Sequence, residues 1–238
     1  YDANGVWKII VEPSVTYGTN GFFILKDGNS VTDQSPNTNN FTVGGGTLTN
    51  TEDSPSNVFA TLNPLATSLS SPAISNGNLT FASNANAYQA SQGTIGVPLT
   101  GKWYWECKIL QATNGSTSEG YLGVLLESDW SKYSYNDNIE AGVYTKVITG
   151  NFANNDIARC LVDRDANLFK IFKNSDSSEI FSKTIPNETI FPYTSLYGSG
   201  TASLTFNFGN GYFGTTAVTS AGTNASGNGI FEYDCPTG

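Results

Sequence analysis

The 238-residue chain contains no histidine and no methionine. Without histidine it lacks the commonest general base and metal ligand, and no Ser-His or Cys-His nucleophile pair can form. Without methionine it has no initiator: it begins at Tyr1 and ends in Cys235-Pro-Thr-Gly238, as expected of a processed product or the ordered part of a longer polypeptide. Cysteine is scarce. Cys107, Cys160 and Cys235 are an odd set with no Cys-x-x-Cys spacing, which argues against a disulfide scaffold and a zinc site. Cys107 and Cys160 fall in apolar strands as small buried hydrophobes, with a bridge between them the alternative. Charge is sparse as well: 13% of residues against about a quarter in ordinary proteins. Asn, Ser, Thr and Gly solubilise the chain instead, which suits an extracellular or virion protein. A net charge of −9 repels polyanions and excludes nucleic acid as the expected partner. There is no apolar run of membrane-spanning length and no helical periodicity of useful length, so no membrane insertion is expected.

What the chain has is strand alternation with aromatic residues at period 2. In Lys102–Leu110, Trp103, Trp105, Cys107 and Ile109 share one face; Tyr104, Glu106, Lys108 and Leu110 share the other. Both tryptophans are expected in the core. Further strands are predicted near 119–126, 140–148, 157–164, 167–174, 178–184, 190–197 and 203–208, with turn-rich segments between them. Leu161 and Val162 are both apolar, as in a strand buried on both sides. Leu79-Thr-Phe81 reads as a strand entered from a tight turn. This pattern predicts an all-β, antiparallel β-sandwich.

The flanks differ in composition. Val6–Val11 and Gly21–Leu25 read as short strands, and residues 27–57 as a Gly/Asn/Ser-rich linker or excursion. The expected organisation is 1–57 as β segments and linker, 58–214 as the sandwich and 215–238 as a C-terminal extension. Within that extension, Gly229-Ile-Phe-Glu-Tyr-Asp234 is expected to pair with the N-terminal segments.

The landmarks Asn76–Phe81, Thr94–Val97, Gly101-Lys-Trp-Tyr-Trp-Glu106, Tyr121-Leu-Gly-Val-Leu125, Ile157–Asn174, Pro192–Tyr197 and Leu204–Gly209 resemble, in order and spacing, those of the SPRY (B30.2-like) family. That resemblance implies a concanavalin A-like jelly roll with short β extensions at both ends, and a recognition scaffold rather than a catalyst. The turn Asp163-Arg-Asp-Ala-Asn167 departs from the family pattern by adding a cation. Outside the core, Tyr17–Phe23, Asp53–Leu65 and Gly229–Gly238 resemble structural proteins of tailed phages. This second resemblance implies a virion or extracellular location, a tail fibre or other appendage, and assembly with identical copies and other virion proteins.

Asp163, Asp165 and Asn167 have the spacing of half a calcium loop, but Leu168 stands where a glycine is needed; a hairpin turn is the better reading. Glu106 could be a catalytic acid, yet no second carboxylate is patterned beside it. Gly44-Gly-Gly46 lacks the Lys-Ser/Thr of a phosphate loop. The expected protein is therefore not an enzyme and carries no cofactor or metal. Its candidate ligand residues are Trp130, Tyr133, Tyr135, Asn136 and Asp137, aromatic faces among polar groups that a host-surface glycan or protein could stack on. The competing reading tucks Trp130 over the sandwich edge. The recognition loops would be 112–119, 129–138 and 149–156. A glycan-degrading appendage enzyme and a SPRY-type peptide adaptor are the alternatives.

Overall fold

Period-2 alternation folds as antiparallel strands because one pleat face can enter a core while the other meets something else. The computed structural model describes residues 14–25, 30–46, 58–67, 71–111, 120–132, 143–198, 202–219 and 229–236. Within these the strands are β1 (Leu62–Thr67), β2 (Ala73–Ser75), β3 (Thr80–Ala82), β4 (Tyr88–Gly93), β5 (Lys102–Gln111), β6 (Gly120–Leu126) and β7 (Val143–Val147). They continue as β8 (Ile157–Asp163), β9 (Leu168–Lys173), β10 (Glu179–Thr184), β11 (Ile190–Tyr197), β12 (Ser203–Asn207), β13 (Tyr212–Phe213) and β14 (Thr216–Ala217). A 3-10 turn, Glu127–Lys132, follows β6. Among the described residues no helix is long and apolar enough to cross a membrane.

One sheet has the order β1-β4-β11-β6-β7, the other β10-β9-β8-β5-β12-β3-β2, and every pairing within them is antiparallel. The fold is the expected all-β antiparallel sandwich. Trp105, Cys107 and Ile109 of β5, Phe169 and Ile171 of β9, and Leu204 and Phe206 of β12 share one core with Leu122 and Val124 of β6 and Ile190 and Leu196 of β11. Each such side chain contributes roughly 2 kcal/mol on full burial. Trp105 stacks on Phe169 with ring planes 9° apart. Every residue of β8 is buried, as its doubly apolar centre implied. Cys107 and Cys160 are both buried and unbridged.

Two features depart from expectation. Trp103 is at the open end of its face and is 40% exposed, not core. Gly21–Leu25 forms no strand; Val6–Val11 lies outside the described residues. The Ile230 run makes a parallel bridge to Asn210; its expected pairing with Val6–Val11 lies outside the described residues. A small hairpin pairs Tyr212 of β13 with Ala217 of β14 and Phe213 with Thr216.

In place of a strand and a slack linker, the described part of 14–46 is organised around one carboxylate. Asp33 accepts hydrogen bonds from the Phe23, Ser35 and Asn39 amides and the Ser35 hydroxyl, at 2.7–2.9 Å. Asn37 and Asn39 donate back to the carbonyls of Gly18, Thr19 and Gly21. A segment rich in Asn and Ser can thus satisfy its backbone without a ladder.

Gly123 of β6 is needed for close approach, since a Cβ there would collide with the Tyr144 carbonyl and the Thr145 backbone of β7. Gly123→Ala is expected to destabilise the sandwich by about 3 kcal/mol through overpacking, measured by urea unfolding. Burial opposes the charge of Asp33, but its four hydrogen bonds outweigh that and lower its carboxyl from 3.8 to about 2. The bonds therefore contribute in full above about pH 4 and are lost as pH falls through about 2. The Phe23 and Asn39 amide resonances should titrate with a midpoint near 2; a midpoint at the ordinary carboxylate value would contradict this.

Candidate functional site

The added cation of the β8–β9 turn organises one end of the sandwich. Asp163 shapes the turn: its Oδ1 accepts the amides of Asp165 and Ala166 at 3.0 Å, and Asn167 takes the left-handed conformation at φ 51°. Its Oδ2 meets Lys102 Nζ at 3.3 Å. Burial opposes the Asp163 charge, yet these partners hold the carboxyl below its ordinary value. The Asp-x-Asp-x-Asn spacing is therefore a hairpin device.

Arg164 points away from that turn and is almost wholly buried. Its guanidinium donates to the carbonyl of Pro98 at 3.2 Å, of Pro186 at 3.0 Å and of Glu188 at 2.5 Å, while its own amide donates to Gly101 at 3.0 Å. Burial lowers its pKa and the Glu188 charge partly restores it. One planar fork thus ties together the β4–β5 loop, the β8–β9 turn and the β10–β11 loop. The tie extends further. Glu188 accepts from the Ser128 hydroxyl at 2.8 Å, and the Glu127 amide donates to the Thr189 carbonyl at 2.9 Å. Both donors belong to the 3-10 turn that includes Trp130.

On this stitched platform the β4–β5 loop and the start of β5 expose apolar side chains: Ile95 at 45%, Leu99 at 46% and Trp103 at 40%. The indole of Trp103 is oriented by Nε1 donating to the Thr100 carbonyl at 2.9 Å. Exposed apolar groups on rigidly held loops are the makings of a contact surface.

Of the expected recognition loops, 149–156 and the start of 129–138 are described. β6 and β7 are antiparallel, with Leu125 opposite Val143 and Tyr121 opposite Val147, so the turn Glu127–Lys132 lies at one end of the sandwich and 149–156 at the other. The latter adjoins the end of β5, where Asn155 donates to the Ile109 carbonyl and Ile109 to that of Asp156. It is braced by Asp156–Lys173 at 2.8 Å and by a buried Phe152. Trp130 lies within the 3-10 turn. Tyr133, Tyr135, Asn136 and Asp137, and loop 112–119, lie outside the described residues. Reading the sequence missed Arg164 as an organiser and Ile95, Leu99 and Trp103 as exposed; the cation inserted into the polar turn was the available signal for the first.

Glu106 offers no free carboxylate. It is completely buried, and its oxygens accept from Tyr104 Oη at 3.0 Å, Asn207 Nδ2 at 3.3 Å, and the amides of Glu232 and Tyr233 at 2.9 Å. Burial raises its pKa, and the hydrogen bonds only partly offset that.

The SPRY domain of human HERC1 is a solved structure similar to this chain, with 14% identity, coverage of 61% of this chain and 96% of that one, and a TM-score of 0.48. No family model matches the chain, and no curated protein matches it by sequence.

Replacing Arg164 by Ala would leave three carbonyls without their donor and is expected to cost about 3 kcal/mol. Arg164→Lys, lacking the planar fork, should recover only part of this. Urea unfolding of the three proteins checks the order; equal stability of all three would remove Arg164 as the organiser.

Proposed function

We propose that this chain is a non-catalytic recognition module of a tailed-phage appendage, and that its contact surface is the Arg164-stitched end of the sandwich. The observation that carries the reading is the pairing of rigidity with exposure: Arg164 fixes three loops, and one of them, with the start of β5 that follows it, presents Ile95, Leu99 and Trp103 to solvent. A surface fixed before contact loses little conformational entropy on binding. The 3-10 turn that includes Trp130 joins this end through Glu188. The ligand is a host-surface glycan or protein. The sparse charge and the likeness of residues 17–23, 53–65 and 229–238 to phage structural proteins support a place on a virion, among identical copies and other virion proteins.

Glycan-array and host-cell binding of the wild type, Trp103→Ala and Trp130→Ala test this. Each substitution should weaken binding by about 2 kcal/mol, roughly 30-fold, as for a central aromatic anchor. Lys173→Ala at the opposite end should leave it unchanged. If both tryptophan variants bind like the wild type, this end is not the contact surface. Detection of the chain in purified particles by mass spectrometry tests the location separately.

A further inference from the structure

The outer face of the seven-stranded sheet presents a row of polar and charged groups. Glu106 of β5 stands in register with Arg159 of β8 on one side and Asn207 of β12 on the other. All three are buried, and residues 230–234 lie against them. The Glu232 and Tyr233 amides donate to the Glu106 carboxylate at 2.9 Å. Asn207 Nδ2 donates to the Ile230 carbonyl at 2.9 Å, and Arg159 Nη1 to the Asp234 carbonyl at 3.5 Å. Two aromatic side chains anchor the segment. Phe231 meets Tyr104 edge-on, with centroids 4.8 Å apart, and the Tyr233 ring lies 5.5 Å from the Arg159 guanidinium.

The run is thus gripped through its backbone by side chains of the sheet, in the manner of a bound peptide. It makes a parallel bridge to Asn210, and the Ile230 amide donates to the Gly209 carbonyl at 2.8 Å. The grip is also incomplete, because Arg159 Nε has no acceptor. With the segment lifted off, Glu106, Arg159 and Asn207 would form a solvated stripe, while the sandwich core lies on the other face of the same strands. Nine residues, 220–228, separate Thr219 from Gly229; a stretch of that length spans at most about 30 Å when fully extended.

We propose that this face is an exchangeable peptide-binding site whose ligand is the segment 229–236, and that the segment of a second copy can take the place of the chain's own. Recognition requires two consecutive free amides over Glu106, flanked by aromatic residues at the positions of Phe231 and Tyr233.

The test uses the full-length chain with a protease site replacing residues 222–227. After cleavage, the sandwich should keep its circular dichroism and cooperative melting. A fluorescent peptide with the sequence of residues 229–236, with serine at the cysteine position, should then bind saturably. Methylating the peptide nitrogens at the Glu232 and Tyr233 positions should weaken binding at least tenfold, as should alanine at the Phe231 or Tyr233 position; none of these changes can unfold the protein. Glu106→Ala in the cleaved protein should do the same. Loss of the fold on cleavage would overturn the proposal, because the segment would then be part of the core. So would a folded, cleaved protein that fails to bind the peptide, or that binds the methylated peptide equally well.

Discussion

The two-residue period of β5 is the constraint on which most of this molecule depends. The strand lies fourth in a sheet of seven, so both its faces must be accounted for. Trp105, Cys107 and Ile109 enter the sandwich core, and the alternation then obliges Tyr104 and Glu106 to face the other way. A carboxylate on the far side of a central strand either meets water or must be fully hydrogen-bonded. Here it is bonded, by a neighbouring tyrosine, an asparagine of β12 and two amides from residues more than a hundred positions later. The same alternation that builds the core therefore creates the site that holds residues 230–234.

A chain with few charges uses its buried ones as backbone organisers. Arg164 donates to three carbonyls, Asp33 accepts three amides and a hydroxyl, and Glu106 accepts two amides besides its side-chain donors. These are charge-assisted bonds, stronger than neutral ones. Each takes up backbone groups of irregular segments that no ladder satisfies. Loops in this protein are thus fixed by single ionised side chains at their centres.

That explains how much could be read from the sequence. Each of the strands expected between 102 and 208 is present, because period 2 is a local property. The burial of β8 followed from two adjacent apolar residues for the same reason. Trp103 was misjudged because alternation assigns a face and is silent on where the opposite sheet stops covering it. Gly21–Leu25 has strand composition, yet its amides are taken by Asp33 and neighbouring backbone rather than by a ladder. Arg164 was noticed as an oddity in a turn, but its three acceptors are 22 to 66 residues distant, and no spacing rule links them. The separation of the turn Glu127–Lys132 from 149–156 likewise needed the pairing of β6 with β7.

The two outward features have opposite designs. At the Arg164 end, polar groups are consumed inside the loops and apolar side chains are left facing water, so that surface is pre-set and its gain on contact is hydrophobic burial. On the outer sheet face, polar groups of the scaffold are satisfied partly by one another and partly by a backbone laid over them, so that surface is completed by a peptide. The first can discriminate partners by shape and aromatic contact. The second reads main-chain amides and therefore tolerates variation in side chains other than its aromatic anchors. A scaffold whose own core lies between its sheets can carry both, because neither surface contributes the side chains that hold the two sheets together.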